Sequence, residues 1–157
     1  MQLCGDEPFS HSPDEVWRCL TDMHFMSAVI PDIDRVESIE QTGFVCRVRP
    51  RFSFFSGKVK LSFQLTSQQP PDKLKVEVHG KGIGGAILVG IDIRLERTGN
   101  GSLVHWAGEV LRREGLFKPI GKSLVGAAAG RIVEDLWAGF RRALADQAVD
   151  NGNRLEE

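Results

Sequence analysis

An α+β architecture is what this 157-residue sequence predicts: a curved antiparallel sheet of about six or seven strands wrapped around one long C-terminal helix. Three observations carry it. Apolar residues alternate with polar ones through most of residues 34–115, the pattern of strands with one wet face. After Gly115 the apolar residues recur at about every fourth position, as they do along one side of a helix. A short helix-forming stretch separates the first strand from the rest. A sheet with one apolar face and a long amphipathic helix must bury those faces against each other, and the sheet has to curl to cover the helix.

The elements follow in order. Ser12-Pro13-Asp14-Glu15 starts the first helix, because Ser12 can cap free backbone N–H groups, Pro13 suits the first helical position and Glu15 can complete a capping box. This helix carries Val16, Trp17 and Leu20 and stops near Thr21-Asp22. A second short helix, from about His24 to Ile30, must end before Pro31, whose ring pushes the preceding residue out of the helical region. Phe44, Cys46, Val48, Phe52 and Phe54 then alternate with Val45, Arg47, Arg49 and Arg51, and Val59, Leu61, Phe63 and Leu65 with Lys58, Lys60, Ser62 and Gln64. Beyond the turn at Gln69-Pro70-Pro71-Asp72, Leu74, Val76 and Val78 form the next inward set. Ile87, Val89, Ile91, Ile93 and Leu95 follow, then the turn Thr98-Gly99-Asn100-Gly101, then Val104, Trp106 and Val110. In the last helix Ile120, Leu124, Ala128, Ile132, Leu136, Phe140 and Leu144 form one stripe, with Pro119 in its first turn. Ending near Ala148, it would be roughly 45 Å long. Residues 1–148 thus read as one domain and 149–157 as a polar tail that frays.

Composition excludes several functions. Apolar residues make up 41% and charged residues 26%, with a net charge of -1, so no global field draws the chain to nucleic acid or membrane. Cys4, Cys19 and Cys46 are widely spaced and read as small thiols, not as a disulfide framework or zinc site. The opening MQLCGDEPF has neither a basic nor an apolar leader segment, and no apolar run approaches the roughly 20 residues of a membrane helix, so the cytoplasm is the expected location.

The chemical motifs are sparse. Gly80-x-Gly82-x-x-Gly85 matches a dinucleotide fingerprint in letters, but that motif needs a helix after its glycines, and Ala86 to Leu95 reads as a strand. The stretch Gly121 to Gly130 (GKSLVGAAAG) is unusually small for a core helix, through close packing on the sheet or through space left for a guest. Arg47, Arg49, Arg51, Lys58, Lys60, Lys73 and Lys75 share the outward phase of three successive strands, a solvated surface or a docking face for an acidic partner or anionic lipid. His11, His24, His79 and His105 are scattered, there is no tyrosine, and neither a nucleophile elbow nor a metal-ligand spacing is present. We expect no catalytic residue, no metal and no cofactor.

Phe9-Ser10-His11-Ser12-Pro13-Asp14-Glu15-Val16-Trp17 resembles the first strand and helix of the START-like (SRPBCC) superfamily. Within it, Val29-Ile30-Pro31-Asp32, Gly57-Lys58-Val59-Lys60-Leu61 and the glycine-rich run Gly80 to Gly85 leading to Gly90 resemble the CoxG family of carbon monoxide dehydrogenase subunits, over about residues 3–147. The resemblance implies a helix-grip fold with a deep apolar cavity and association with molybdenum-containing dehydrogenases. There such subunits are thought to serve membrane recruitment, peripheral to the inner face, or quinone handling. Two features depart from the family: Asp32 stands where a glycine is frequent, and the chain ends in a short acidic segment where some members carry a membrane-binding tail.

The expected function is therefore binding and carriage of a hydrophobic, quinone- or lipid-like molecule, not catalysis. Phe25 and Ile30 would stand at the mouth of the cavity. Phe54, Phe63, Val78, Val89, Ile91 and Trp106 would line the sheet, and Leu124, Ala128 and Ile132 the helix. Two rivals differ in what they require. A polyketide cyclase- or dehydratase-like enzyme of the same superfamily needs an ionisable side chain in the inward phases, which are almost wholly apolar. A ligand-free assembly subunit needs a cavity filled by its own side chains.

Overall fold

A computed structural model describes residues 2–51, 57–82, 84–115 and 122–156, with the side chains of all of these except 122–125, 128 and 148–156. The chain runs β1 (Gln2–Phe9), α1 (Pro13–Leu20), α2 (Met23–Val29), β2 (Ile33–Ile39), β3 (Gly43–Val48), β4 (Val59–Gln69), β5 (Lys73–Gly82), β6 (Gly85–Thr98), β7 (Gly101–Gly115) and α3 (Lys122–Glu156). The strands form one antiparallel sheet in the order β1-β7-β6-β5-β4-β3-β2. Six strands follow one another as a meander, and β1 returns to pair with β7. This is the expected helix-grip arrangement of curved sheet, two short helices after the first strand and long final helix.

Local chemistry sets the helix boundaries. The Ser12 hydroxyl accepts from the Glu15 N–H at 3.3 Å, and Pro13 opens α1. A cap not anticipated from sequence starts α2, where one Asp22 carboxylate oxygen accepts from the His24 and Phe25 N–H groups at 3.0 and 3.1 Å. Beyond Pro31, Asp32 adopts the left-handed region with φ 58°, and its carbonyl accepts from the Arg49 N–H at 2.9 Å. A glycine suits that conformation without penalty, which gives the departure at Asp32 its physical content.

Two boundaries differ from expectation. α3 continues to Glu156, so the polar residues after Ala148 extend the helix and do not form a separate tail. Nothing in that stretch stops a helix: there is no proline, and the lone Gly152 costs only about 1 kcal/mol. β3 ends at Val48, and the expected continuation through Phe52 and Phe54 lies outside the described residues, as does the first turn placed at Pro119 and Ile120.

The aromatic centre of the core lies at one end of the sheet, while along β3 and β4 buried residues continue through Val48 and Val59 to the other end. Phe9, Trp137 and Phe140 form a mutual aromatic cluster with ring centroids 5.5–6.0 Å apart. Val16, Leu20, Leu74, Val76, Leu95, Val104 and Leu144 are buried around it. Arg141 fixes the C-terminal half of α3 to β1 by donating to the Pro8 carbonyl and to Glu7 Oε2 (2.8 Å), with its guanidinium 4.3 Å from the Phe9 ring centroid.

Packing falls away toward the other end of α3. Phe140 is 1% exposed, whereas Ile132, two turns earlier, is 42% exposed. Phe140→Ala is therefore expected to destabilise the fold by about 3–5 kcal/mol in urea unfolding, and Ile132→Ala by about 1 kcal/mol or less. At the left-handed position, Asp32→Gly should be neutral or stabilising and Asp32→Val should cost about 1–2 kcal/mol in the same measurement.

Candidate functional site

The inward phase of the sheet can be followed across its strands. Leu65, Val76 and Leu95 are buried at the packed end, whereas Val78, Ile87, Val89, Ile91 and Val110, further along the same phase, are only half-buried. Glycines keep this second region shallow. A Cβ at Gly80 would meet Ile87 and Val59, which places all three on one face. A Cβ at Gly108 would find its nearest heavy atoms at 4.0 Å, and one at Gly130 of α3 would find none within 4 Å. These strand positions form a half-buried apolar face, with Val78 and Ile91 packed against the edge of the core.

The expected lining residues divide between the packed core and the half-buried inward face. Val78, Val89 and Ile91 lie on the half-buried inward face, and Trp106 lies on the same face with its indole over Gly5 and its Nε1 buried without an acceptor. Phe63 is buried and stacked on Phe44 (4.8 Å, 12°), and Phe25 packs edge-on against Phe140 (5.4 Å, 80°), so both stand within the packed core. Ile30 is half-buried beside that core, and Ile132 is exposed on α3. Phe54 and the side chains of Leu124 and Ala128 lie outside the described residues.

Charged groups also fall on this inward phase, among them Glu7 and Arg113. Glu7, opposite Val104, is held by Arg141. Arg113 arrives through a bulge in β7. Val89 pairs with Val110 and Leu88 with Arg112, so Leu111 is the extra residue. Leu111 turns outward over Gly90, and Arg113 faces Ile87 on the inward side. Strict alternation from Val110 would have put Arg113 outside, so the bulge hid this residue from a period-of-two reading.

The outer face neutralises much of its own charge. Arg35, Arg47, Lys60 and Lys81 stand directly opposite one another across β2 to β5, a destabilising row of like charges. Two bulges in β2 add Asp34 and Glu37 beside it. Arg47 bonds Glu37 at 2.6 Å and Lys58 approaches Asp34 at 3.0 Å, and these hydrogen bonds hold both carboxyls below their usual range. Arg51 pairs with Asp32 at 3.2 Å. The expected basic docking face is thus largely covered by acids of the same chain.

An open depression of about 670 Å³ on the outer side of β1, β5, β6 and β7 includes Cys4, Asp6, Lys75, Arg94 and His105. His105 bridges two carboxylates there, with Nδ1 2.6 Å from Asp6 and Nε2 2.7 Å from Glu96. Cys46, at the other extreme, is fully buried, and burial pushes its thiol up to about 11. No group of three His, Cys, Asp or Glu side chains among the described residues could hold a metal ion.

Hydrogen bonds to Glu96 and then Asp6 raise the His105 pKa above its usual 6.5. A raised folded value means that the stabilisation is complete below about pH 6.5 and is lost as pH climbs through the folded pKa. The stability advantage of wild type over His105→Gln, measured by urea unfolding from about pH 5 to about pH 8, should shrink with rising pH.

Comparison with known proteins agrees with this architecture. A conserved protein from Geobacillus kaustophilus superposes with TM-score 0.83 at 20% identity, covering 93% of this chain and 96% of the other. A protein from Thermus thermophilus gives TM-score 0.65 at 13% identity over 94% and 99%. One from Chromobacterium violaceum gives 0.63 at 12% over 87% and 94%. At these identities the likeness is one of fold. No curated protein matches the sequence. The family model for CoxG, a carbon monoxide dehydrogenase subunit, matches residues 5–145, nearly the whole of the helix-grip unit, and the chain belongs to the CoxG family.

Proposed function

We propose that the chain binds a hydrophobic, quinone- or lipid-like molecule in the hollow between β5–β7 and α3, and acts as a carrier accessory to a molybdenum-containing dehydrogenase. The observation that carries the reading is the half-exposed inward face. Val78, Ile87, Val89, Ile91 and Val110 form a contiguous apolar patch that the folded chain leaves partly open, although more side chain could have been placed at Gly108 and Gly130. Covering a few hundred Å² of such surface at about 25 cal/mol per Å² supplies several kcal/mol before ordering costs.

The enzyme reading is weaker on the same residues. Of the ionisable groups described on the inward strand phase, Glu7 is already bound to Arg141, Cys46 is fully buried with its thiol pushed up to about 11, and Arg97 and Arg113 can donate but not accept a proton. The partner enzyme is inferred from the family alone. Peripheral contact with an anionic membrane rests on the residual cations Lys60, Lys73 and Lys81, since no helix among the described residues is long and apolar enough to cross a bilayer.

Organic extraction of freshly purified protein followed by mass spectrometry should release a quinone or lipid. Gly108→Leu, which inserts a side chain into the hollow, should weaken binding of an apolar dye such as Nile red by about tenfold without lowering stability. Dye binding unchanged by Gly108→Leu, together with an empty extract, would show that this surface is not the binding site.

A further inference from the structure

We infer that Arg113 is the head-group anchor of the hollow and that the ligand it selects is an apolar chain ending in a carboxylate; this rests on the ligand-binding reading above and narrows it. The bulge at Leu111 turns Arg113 to the inward face, where its strand neighbours in the same phase are Val110 and, across the sheet, Ile87. Its Nη1 is buried and has no hydrogen-bond partner. A guanidinium carries only donors, and a buried donor left without an acceptor costs more than a hydrogen bond normally contributes.

Among the described residues, none supplies the missing acceptor. Glu7, the one carboxylate on the inward phase of the described strands, is bound to Arg141 at the far end of the sheet. Glu109 and Glu114, Arg113's acidic neighbours in sequence, fall on the outward phase, opposite Gly90 and Ala86. Arg112, one residue away, faces outward with Glu114, 4.0 Å from its carboxylate. The two adjacent arginines thus have different environments, one wet and beside an acid, the other turned toward apolar side chains without one.

The geometry selects the head group. A guanidinium offers parallel N–H donors that match the two oxygens of a carboxylate, and a half-buried positive charge is best countered by a negative one. A neutral carbonyl or hydroxyl satisfies one donor and leaves the charge uncompensated. From Arg113 the inward phase of β7 runs back past Val110 and Gly108 to Trp106, roughly 20 Å of apolar strand at about 3.3 Å per residue. An alkyl chain whose carboxylate sits on Arg113 lies along this track, over Val89 and Ile91 of the neighbouring strand.

The test compares palmitate with methyl palmitate, both below their aggregation limits, by displacement of Nile red from the delipidated full chain. Palmitate should bind about tenfold or more tightly than the ester. Arg113→Leu should abolish that preference while leaving ester affinity within about threefold, Arg113→Lys should keep part of it, and the outward Arg112→Leu should keep all of it. Equal binding of acid and ester by wild type, or a preference that survives Arg113→Leu, overturns the assignment but leaves the hollow standing. Failure of wild type to bind either molecule overturns the hollow itself. Should Arg113→Leu not fold by circular dichroism, the Arg113→Lys and Arg112→Leu pair decides the matter by the same preference ratio.

Discussion

The attachment of α3 at one end is the constraint on which the rest of this structure depends. Phe140 and Trp137 lock into Phe9, and Arg141 reaches the same strand through Glu7, the Pro8 carbonyl and the Phe9 ring. These interactions cluster within one turn or so of the helix, and the polar ones are half-buried, where an ion pair and a cation–π contact are worth more than on an open surface. The turns before Trp137 are held less tightly: Leu136 and Val133 are half-buried against the core and Ile132 is exposed. Gly126, Gly130 and the neighbouring alanines add little side-chain volume there.

The sheet contributes the complementary half through its register. Along β5 and β6 one continuous inward phase passes from fully buried residues to half-buried ones with no change of residue type: Leu74, Val76 and Leu95 against Val78, Ile91 and Val89. Chemistry alone does not distinguish the two groups. What separates them is how completely the core closes over them.

That distinction explains what the sequence disclosed. Element order, strand phase and the absence of a nucleotide-binding helix after Gly85 all follow from periodicity and turn chemistry, and all were legible. Assigning Val78, Val89 and Ile91 to the inward face needed only alternation. Separating the core from the half-buried face did not follow from alternation: Phe25 and Phe63 have the same apolar character as Val78, Val89 and Ile91 but pack against Phe140 and Phe44. Bulges were the other blind spot. Each adds one residue and inverts the phase beyond it, so Asp34, Glu37 and Arg113 occupy faces that strict alternation does not assign. The Arg112-Arg113 pair was the available signal, because adjacent strand residues point to opposite faces and one of two adjacent arginines must then turn inward.

The three bulges also organise charge in opposite ways on the two faces. In β2 they bring acids to cations that would otherwise repel one another across four strands, so Arg35, Arg47 and Lys58 find partners within the chain. In β7 the bulge does the reverse and removes a cation from the acids beside it in sequence. A fold that settles most of its outward charges internally yet carries Arg113 inward leaves Nη1 buried and unmatched there, as it does Nε1 of Trp106. Apolar walls alone would accept any greasy molecule of suitable length, since the hydrophobic effect is non-directional. Directionality must come from a polar group, and of these two unmatched donors on the described inward surface the guanidinium of Arg113 is the charged one.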